Sequence, residues 1–114
     1  MPYISTKTTV SVSKEKETVL KEKLARALEK TIGKGEAWLM LSFEDNVRMW
    51  FKGGNSAPCA MIEIKIFGSA SASKYEAMTA EVCRIMNEEL GVPSDRVYVK
   101  YEECEHWGWN GSNF

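Results

Sequence analysis

The chain has 114 residues, of which 44% are apolar and 27% charged, a composition typical of globular proteins. This length predicts one domain with a core of modest size. Fifteen basic and sixteen acidic residues give a formal net charge of −1, so the sequence lacks the basic surface expected for nucleic-acid binding. Three cysteines without a CxxC pair and one histidine, His106, exclude a strong zinc or disulfide pattern.

The first half of the chain predicts a strand, a helix and a second strand. Residues 3–10 are rich in Ile, Thr and Val, as strands are. Apolar residues recur at helical spacing over 19–32, Ser13 is placed to cap this helix, and Gly33 can end it in a left-handed conformation. The run WLMLSF at 38–43 indicates the second strand.

The second half predicts the same order of elements. Alternation of Ile with charged residues indicates a strand over 60–67. Helical spacing over 78–90 follows an expected capping box at 73–76 and precedes a stop signal at 91–93. Alternating Val and Tyr at 96–101 predict the last strand.

The two halves superpose at an offset of 58 residues, which aligns Leu24 with Val82. The chain is therefore predicted to be a single domain over 1–114, with pseudo-repeated halves at about 1–52 and 58–114. Each half forms a βαβ unit. The expected fold class is α+β, with one four-stranded mixed sheet and both helices on one of its faces.

The opposite face of this sheet is predicted to be polar. Its alternating positions hold Tyr3, Ser5, Lys7, Glu63, Lys65, Tyr98 and Lys100. A ring of subunits around a water-filled centre would cover such a face, so we expect an oligomer. A monomer with a solvated sheet face is the alternative. No apolar run approaches the ~18 residues that span a bilayer, and no secretory segment is recognisable, so we expect no membrane partner and a cytoplasmic location.

Pro2 is the first candidate for chemistry. If Met1 is removed, Pro2 becomes an N-terminal secondary amine, the only form in which a proline carries a titratable nitrogen. A free α-amino group has a pKa near ~8, and an apolar pocket or nearby cations lower it, which leaves a neutral base at physiological pH. Such a base suits proton abstraction beside a carbonyl. On its own, a proline at position 2 is weak evidence.

Five segments in one order make this interpretation specific. They are Met1-Pro2, Gly33-Lys34, the joint GGNSAPCA at 53–60, SDRVYV at 94–99 and the end WGWNGSNF at 107–114. In this combination the chain resembles the macrophage migration inhibitory factor family of the tautomerase superfamily over its whole length.

The resemblance implies a homotrimer with active sites at the subunit interfaces. It implies keto–enol tautomerisation of phenylpyruvate-like or dopachrome-like substrates, small aromatic α-keto acids among them, without a metal or an organic cofactor. By position, Pro2 matches the catalytic base, Lys34 the lysine that meets the substrate's oxygens, and Tyr98 a tyrosine contributed by the neighbouring subunit. From the residues alone, a cation after a helix with no role in the chemistry is the favoured interpretation of Lys34, and the resemblance reverses this order; Tyr98 could likewise be an ordinary strand residue.

The resemblance also implies an apolar wall around the substrate. The side chains that match or adjoin this wall are Phe67, Trp107, Trp109 and Phe114, and Tyr3 lies next to the base in sequence. Aromatic walls stack on an aryl substrate and exclude water, which keeps an amine neutral. Ordinary core or interface packing is the alternative interpretation of these rings.

Two departures from the family pattern bear on the site. Lys100 stands where many members have Asn. Pointing into the site, it would further lower the pKa of Pro2 and favour anionic substrates, whereas pointing into a central channel it would have no catalytic role. Cys59 has no second cysteine three residues later, so thiol–disulfide chemistry is not expected.

Three hypotheses for function follow. The first is an enzyme that tautomerises aryl α-keto acids through Pro2. The second is a cytokine-like binding protein with a protein receptor and a vestigial pocket, for which export without a signal peptide would be a family trait. The third, hydration or dehalogenation, needs extra charged groups, for which Lys100 is the only hint. Pro2, Lys34 and Tyr98 are all present, which favours the enzyme.

Overall fold

A computed structural model describes residues 1–114 and packs two long helices on one four-stranded sheet. The strands of this sheet are β1 (Pro2–Thr8), β2 (Met40–Glu44), β3 (Ala60–Phe67) and β4 (Val97–Cys104). The helices are α1 (Lys14–Thr31) and α2 (Ala72–Leu90). A C-terminal hairpin pairs β5 (Gly108–Trp109) with β6 (Ser112–Asn113), and short 3-10 turns over Glu36–Trp38 and Ser94–Arg96 precede β2 and β4.

The strand order is β2-β1-β3-β4. Parallel pairs join β1 to β2 and β3 to β4, and an antiparallel pair of β1 and β3 joins the two halves. In keeping with the repeat in the sequence, β3 and α2 begin 58 residues after β1 and α1. The predicted fold class, with one mixed sheet and both helices on one face, is confirmed.

Alternation along the strands sends one side of the sheet into the core. Side chains from β1 and β3, together with stripes on both helices, are almost completely buried: Ile4, Leu20, Leu24, Leu28, Ile62, Ile64, Ile66, Met78, Val82, Ile85 and Met86. Neither helix combines the length and apolar character that crossing a membrane requires. The polar residues predicted for the other side of the sheet lie there, exposed or half-buried.

Several boundaries differ from the sequence-based prediction by up to three residues, including the ends of β1 and β4, and two of the differences have a clear local cause. The N-cap of α2 is Ser71, whose hydroxyl accepts a hydrogen bond from the backbone N–H of Lys74, so Ser73 already lies inside the first turn. The second strand begins at Met40, because the chain from Glu36 to Trp38 forms a 3-10 turn first. This turn takes the Trp38 ring out of the strand and toward the C-terminal hairpin.

Candidate active site

The start of the chain is anchored at one end of the sheet. Pro2 is buried and lies opposite Ile66 of β3. The carbonyl of Met1 accepts a hydrogen bond from the backbone N–H of Phe67 at 3.0 Å. The amino terminus is thereby fixed beside the end of β3.

Lys34 approaches this amino terminus because of the chain topology. In a βαβ unit the helix runs back along the first strand, so the residues after α1 lie at the end of the sheet where β1 begins. Gly33, with a φ of +84°, turns the chain there. Burial, and secondarily the positive charge of Lys34, lower the pKa of the amino-terminal nitrogen on Met1 below its ordinary value of 8.0. An amine at this position is thus biased toward its neutral, basic form.

Four aromatic side chains lie on the same side of the molecule, and we call them the aromatic cluster: Trp38, Phe67, Trp109 and Phe114. The ring of Trp38 stands edge-on to Trp109 at 4.8 Å and to Phe114 at 5.9 Å between centroids. Phe114 lies 6.0 Å from both Phe67 and Trp109. Trp38, Trp109 and Phe114 remain about half exposed, so the cluster offers a surface to an aryl group.

The C-terminal hairpin positions two members of the aromatic cluster. Asn110 and Gly111 both have positive φ, at 53° and 85°, which is the backbone of a two-residue type I′ turn. The backbone N–H of Phe114 donates to the carbonyl of Trp107 at 3.0 Å and closes the hairpin. Trp107 therefore supports the cluster through its backbone.

Trp38 is a candidate site residue that the sequence analysis missed. The run at 38–43 has the composition of a strand, and a strand would alternate its side chains across the sheet. Only the 3-10 turn, together with the folding back of the hairpin, brings the Trp38 ring against Trp109. Gly35 and Glu36, three and two residues before the run, were the only local signals of a turn.

Tyr98 lies far from Pro2 in the same chain. Pro2 pairs with Ile66, whereas Tyr98 pairs with Met61. These positions of β3 are five steps apart along the strand, which is roughly 16 Å at about 3.3 Å per residue. Tyr98 is 61% exposed, and its ring stands against Phe51 at 4.7 Å. A single chain does not bring Tyr98 to the amino terminus.

Lys100 and Tyr3 both lie on the exposed face of the sheet. Lys100 forms an ion pair with Glu102 at 3.0 Å and stands opposite Glu63 of β3. The hydroxyl of Tyr3 shares a hydrogen bond of 2.7 Å with that of Ser42. Tyr3 therefore points away from the face that buries Pro2, and Lys100 is held by a carboxylate within its own strand.

An apolar cavity of about 170 Å³ lies at the Tyr98 end of the sheet. Its lining includes Met49, Trp50, Phe51 and Met61. Pro2 is buried and lines none of the cavities of the single chain. No three His, Cys, Asp or Glu side chains converge as metal ligands, and Cys59 is a buried free thiol.

Comparisons with known proteins agree with this architecture. The family model for macrophage migration inhibitory factor (MIF) matches residues 1–114. The macrophage migration inhibitory factor of Xenopus laevis is 28% identical over 116 residues, which cover 100% of this chain and 99% of that protein. D-dopachrome decarboxylase-B of the same species is 29% identical over 115 residues, covering 98% and 96%. The crystal structure of Leishmania major MIF2 superposes with a TM-score of 0.93 at 32% identity, covering 100% of this chain and 97% of that one. The chain belongs to the macrophage migration inhibitory factor family.

Proposed function

We propose that the protein is a cofactor-independent keto–enol tautomerase that acts on phenylpyruvate-like or dopachrome-like substrates, with the amine of Pro2 as its base. The observation that carries this proposal is the environment of the chain start, where Lys34 and the Phe67 end of the aromatic cluster lie nearby and where burial and Lys34 lower the pKa of the terminal amine that Met1 carries. The similarity to D-dopachrome decarboxylase-B supports an aryl substrate.

Removal of Met1 would supply two parts of the site at once. It converts the amide nitrogen of Pro2 into a free secondary amine. It also takes away the carbonyl that accepts the N–H of Phe67, which leaves this donor unpaired beside the new amine. The Phe67 N–H and the Lys34 ammonium can then hold a carboxylate or an enol oxygen of the substrate.

The proton then moves between carbon and oxygen. The neutral Pro2 nitrogen takes a proton from the carbon beside the keto group, and the C–H electron pair forms the carbon–carbon double bond of the enol. The carbonyl π pair moves to oxygen, which receives the proton back from the Pro2 ammonium. Lys34 stabilises the negative charge on oxygen, and the aromatic cluster packs on the aryl group and excludes water.

The proposed site is completed by a second copy of the chain, in a homotrimer. Two features support this arrangement: Pro2 lines no cavity of the single chain that could hold a substrate, and Tyr98 is exposed at the other end of the sheet. A head-to-tail ring brings one end of each subunit against the opposite end of the next. Each site would then combine Pro2 of one subunit with Tyr98 of its neighbour.

A mixing experiment tests the shared site. Pro2→Gly and Tyr98→Ala proteins are each expected to be poorly active as pure trimers. Unfolding and refolding an equal mixture should restore about a quarter of the wild-type sites, because random assembly pairs an intact Pro2 with an intact Tyr98 at that frequency. Phenylpyruvate turnover and sedimentation are the measurements. No recovery on mixing, or a ~13 kDa species at micromolar concentration, would contradict the shared site; processed trimers without turnover would favour the cytokine-like alternative.

Truncating Trp38 tests the aromatic cluster. Trp38→Ala removes one ring of the substrate wall, and a contact between this ring and the aryl group of the substrate is worth about 0.5–1.5 kcal/mol, so KM for phenylpyruvate should rise about 2- to 10-fold. Trp38→Phe keeps an aromatic ring at this position and should lose less. Steady-state kinetics on pyruvate, which has no aryl group, provides the comparison. An unchanged KM for phenylpyruvate in Trp38→Ala would remove Trp38 from the substrate wall.

A further inference from the structure

Four charged side chains form a compact group on the exposed face of the sheet, and we call it the charge cluster: Glu63 and Lys65 on β3, Lys100 and Glu102 on β4. The register sets Glu63 opposite Lys100 and Lys65 opposite Glu102. The direct ion pair is within β4, where Lys100 Nζ lies 3.0 Å from Glu102 Oε1. Two positive and two negative charges therefore cancel within the cluster.

The pKa values of Lys100 and Glu102 shift in the directions that this ion pair requires. The hydrogen bond to Glu102, and secondarily the charge of Glu63, raise the pKa of Lys100. The hydrogen bond from Lys100, and secondarily the charge of Lys65, lower the pKa of Glu102. Both partners are therefore charged at neutral pH, and Lys100 is directed toward a carboxylate of its own chain.

Lys100 and Tyr98 project from the same face of β4, two residues apart. Side chains at this spacing stand about 6.6–7 Å from one another, close to the length of a substituted benzene ring. The inference rests on the proposed function in one respect: the copy that brings Tyr98 to Pro2 also brings Lys100. A substrate ring packed beside Tyr98 would then direct its para substituent toward Lys100.

We propose that Glu102 is a positioning residue that determines substrate charge, because it holds Lys100 away from the substrate. Because the positive charge of Lys100 is paired with Glu102, the site offers Lys34 for the carboxylate of the keto acid and no free cation for the far end of the ring. The favoured substrates are α-keto acids with one carboxylate and an uncharged aryl group. Freeing Lys100 would extend binding to aryl keto acids with a second anionic group.

The test compares phenylpyruvate with 4-carboxyphenylpyruvate, which adds a second carboxylate at the para position. Glu102→Gln should raise the ratio of kcat/KM for the dicarboxylate over that for phenylpyruvate by about 5-fold, on the scale of a partly exposed ion pair. Glu105→Gln, which removes an exposed carboxylate just beyond β4 and outside the charge cluster, should leave the ratio unchanged. Adding Lys100→Gln to Glu102→Gln should return the ratio to its wild-type value.

A binding measurement separates this inference from the proposed function. Intrinsic tryptophan fluorescence, to which Trp38 and Trp109 contribute, can report the dissociation constants of phenylacetate and 4-carboxyphenylacetate, which resemble the two substrates but do not react. If no variant turns over phenylpyruvate, the proposed function fails, and the ratio of these constants still tests Glu102. If the ratio of the two dissociation constants is the same in Glu102→Gln as in wild type, the inference is overturned.

Discussion

Replacing Pro2 by glycine is expected to lower kcat/KM for phenylpyruvate by about 10²- to 10³-fold, within the range of a positioned acid–base group. Glycine still provides an amino terminus after removal of Met1. The amine is then primary, and without the pyrrolidine ring it rotates freely about its bond to Cα, so the direction of its lone pair is no longer fixed. The basicity and the direction of the amine both change, so proton transfer should be slower although the fold is retained.

Pro93→Ala is the matched control for this substitution. Pro93 is exposed, lies outside the candidate site, and has backbone angles of −60° and 145° that alanine adopts freely. This variant should keep its activity. Turnover of phenylpyruvate is followed by ultraviolet absorbance on proteins whose intact masses show that Met1 is absent. Unchanged turnover in processed Pro2→Gly would remove Pro2 from the mechanism.

Replacing Lys34 by alanine is expected to raise KM for phenylpyruvate by about 10- to 100-fold. A hydrogen bond to a charged group contributes about 1.5–3 kcal/mol, and each 1.4 kcal/mol corresponds to a factor of about ten. The methyl ester of phenylpyruvate lacks the carboxylate, so its KM should change much less. Lys14→Ala, an exposed lysine in the first turn of α1, is the control. Equal changes in KM for acid and ester would argue against carboxylate binding by Lys34.

The same substitution should shift the pH dependence. The reacting form of the amine is the neutral one, so activity rises with pH through the pKa of the amine. Lys34 lowers this pKa, and without Lys34 the acid limb of the kcat/KM profile should move to higher pH. Burial is the larger cause of the lowered pKa at the chain start and persists in the variant, so the shift of the limb should be only partial. A limb that stays in place, or moves to lower pH, would contradict the role assigned to Lys34.

The repeated fold could be predicted from the sequence because its periodic signals are strong. Ile62, Ile64 and Ile66 alternate with charged residues, and Leu20, Leu24 and Leu28 recur at the spacing of a helix, so both the elements and their buried sides follow. The exact ends of the elements are harder to predict, because neighbouring residues with similar capping preferences compete for the same role. Ser71 and Ser73 are both chemically able to cap α2, and only the backbone conformation decides between them.

Some features of the candidate site could likewise be predicted from the sequence, and others could not. The approach of Lys34 to the chain start follows from βαβ topology, because α1 returns the chain to the end of the sheet where β1 begins. The contact of Trp38 with Trp109 depends on how a hairpin some seventy residues away folds back, which no local pattern encodes. The pairing of Lys100 with Glu102 depends on side-chain rotamers, so the sequence left the direction of Lys100 open.

The most direct test of the account compares one protein before and after its first residue is removed. The chain is prepared with Met1 retained behind a cleavable extension, and then trimmed so that Pro2 is the first residue, with intact mass as the check. The account predicts phenylpyruvate tautomerisation only in the trimmed form, because an acylated Pro2 nitrogen is an amide and cannot act as a base. Equal turnover in the two forms, or none in trimmed trimeric protein, would contradict it.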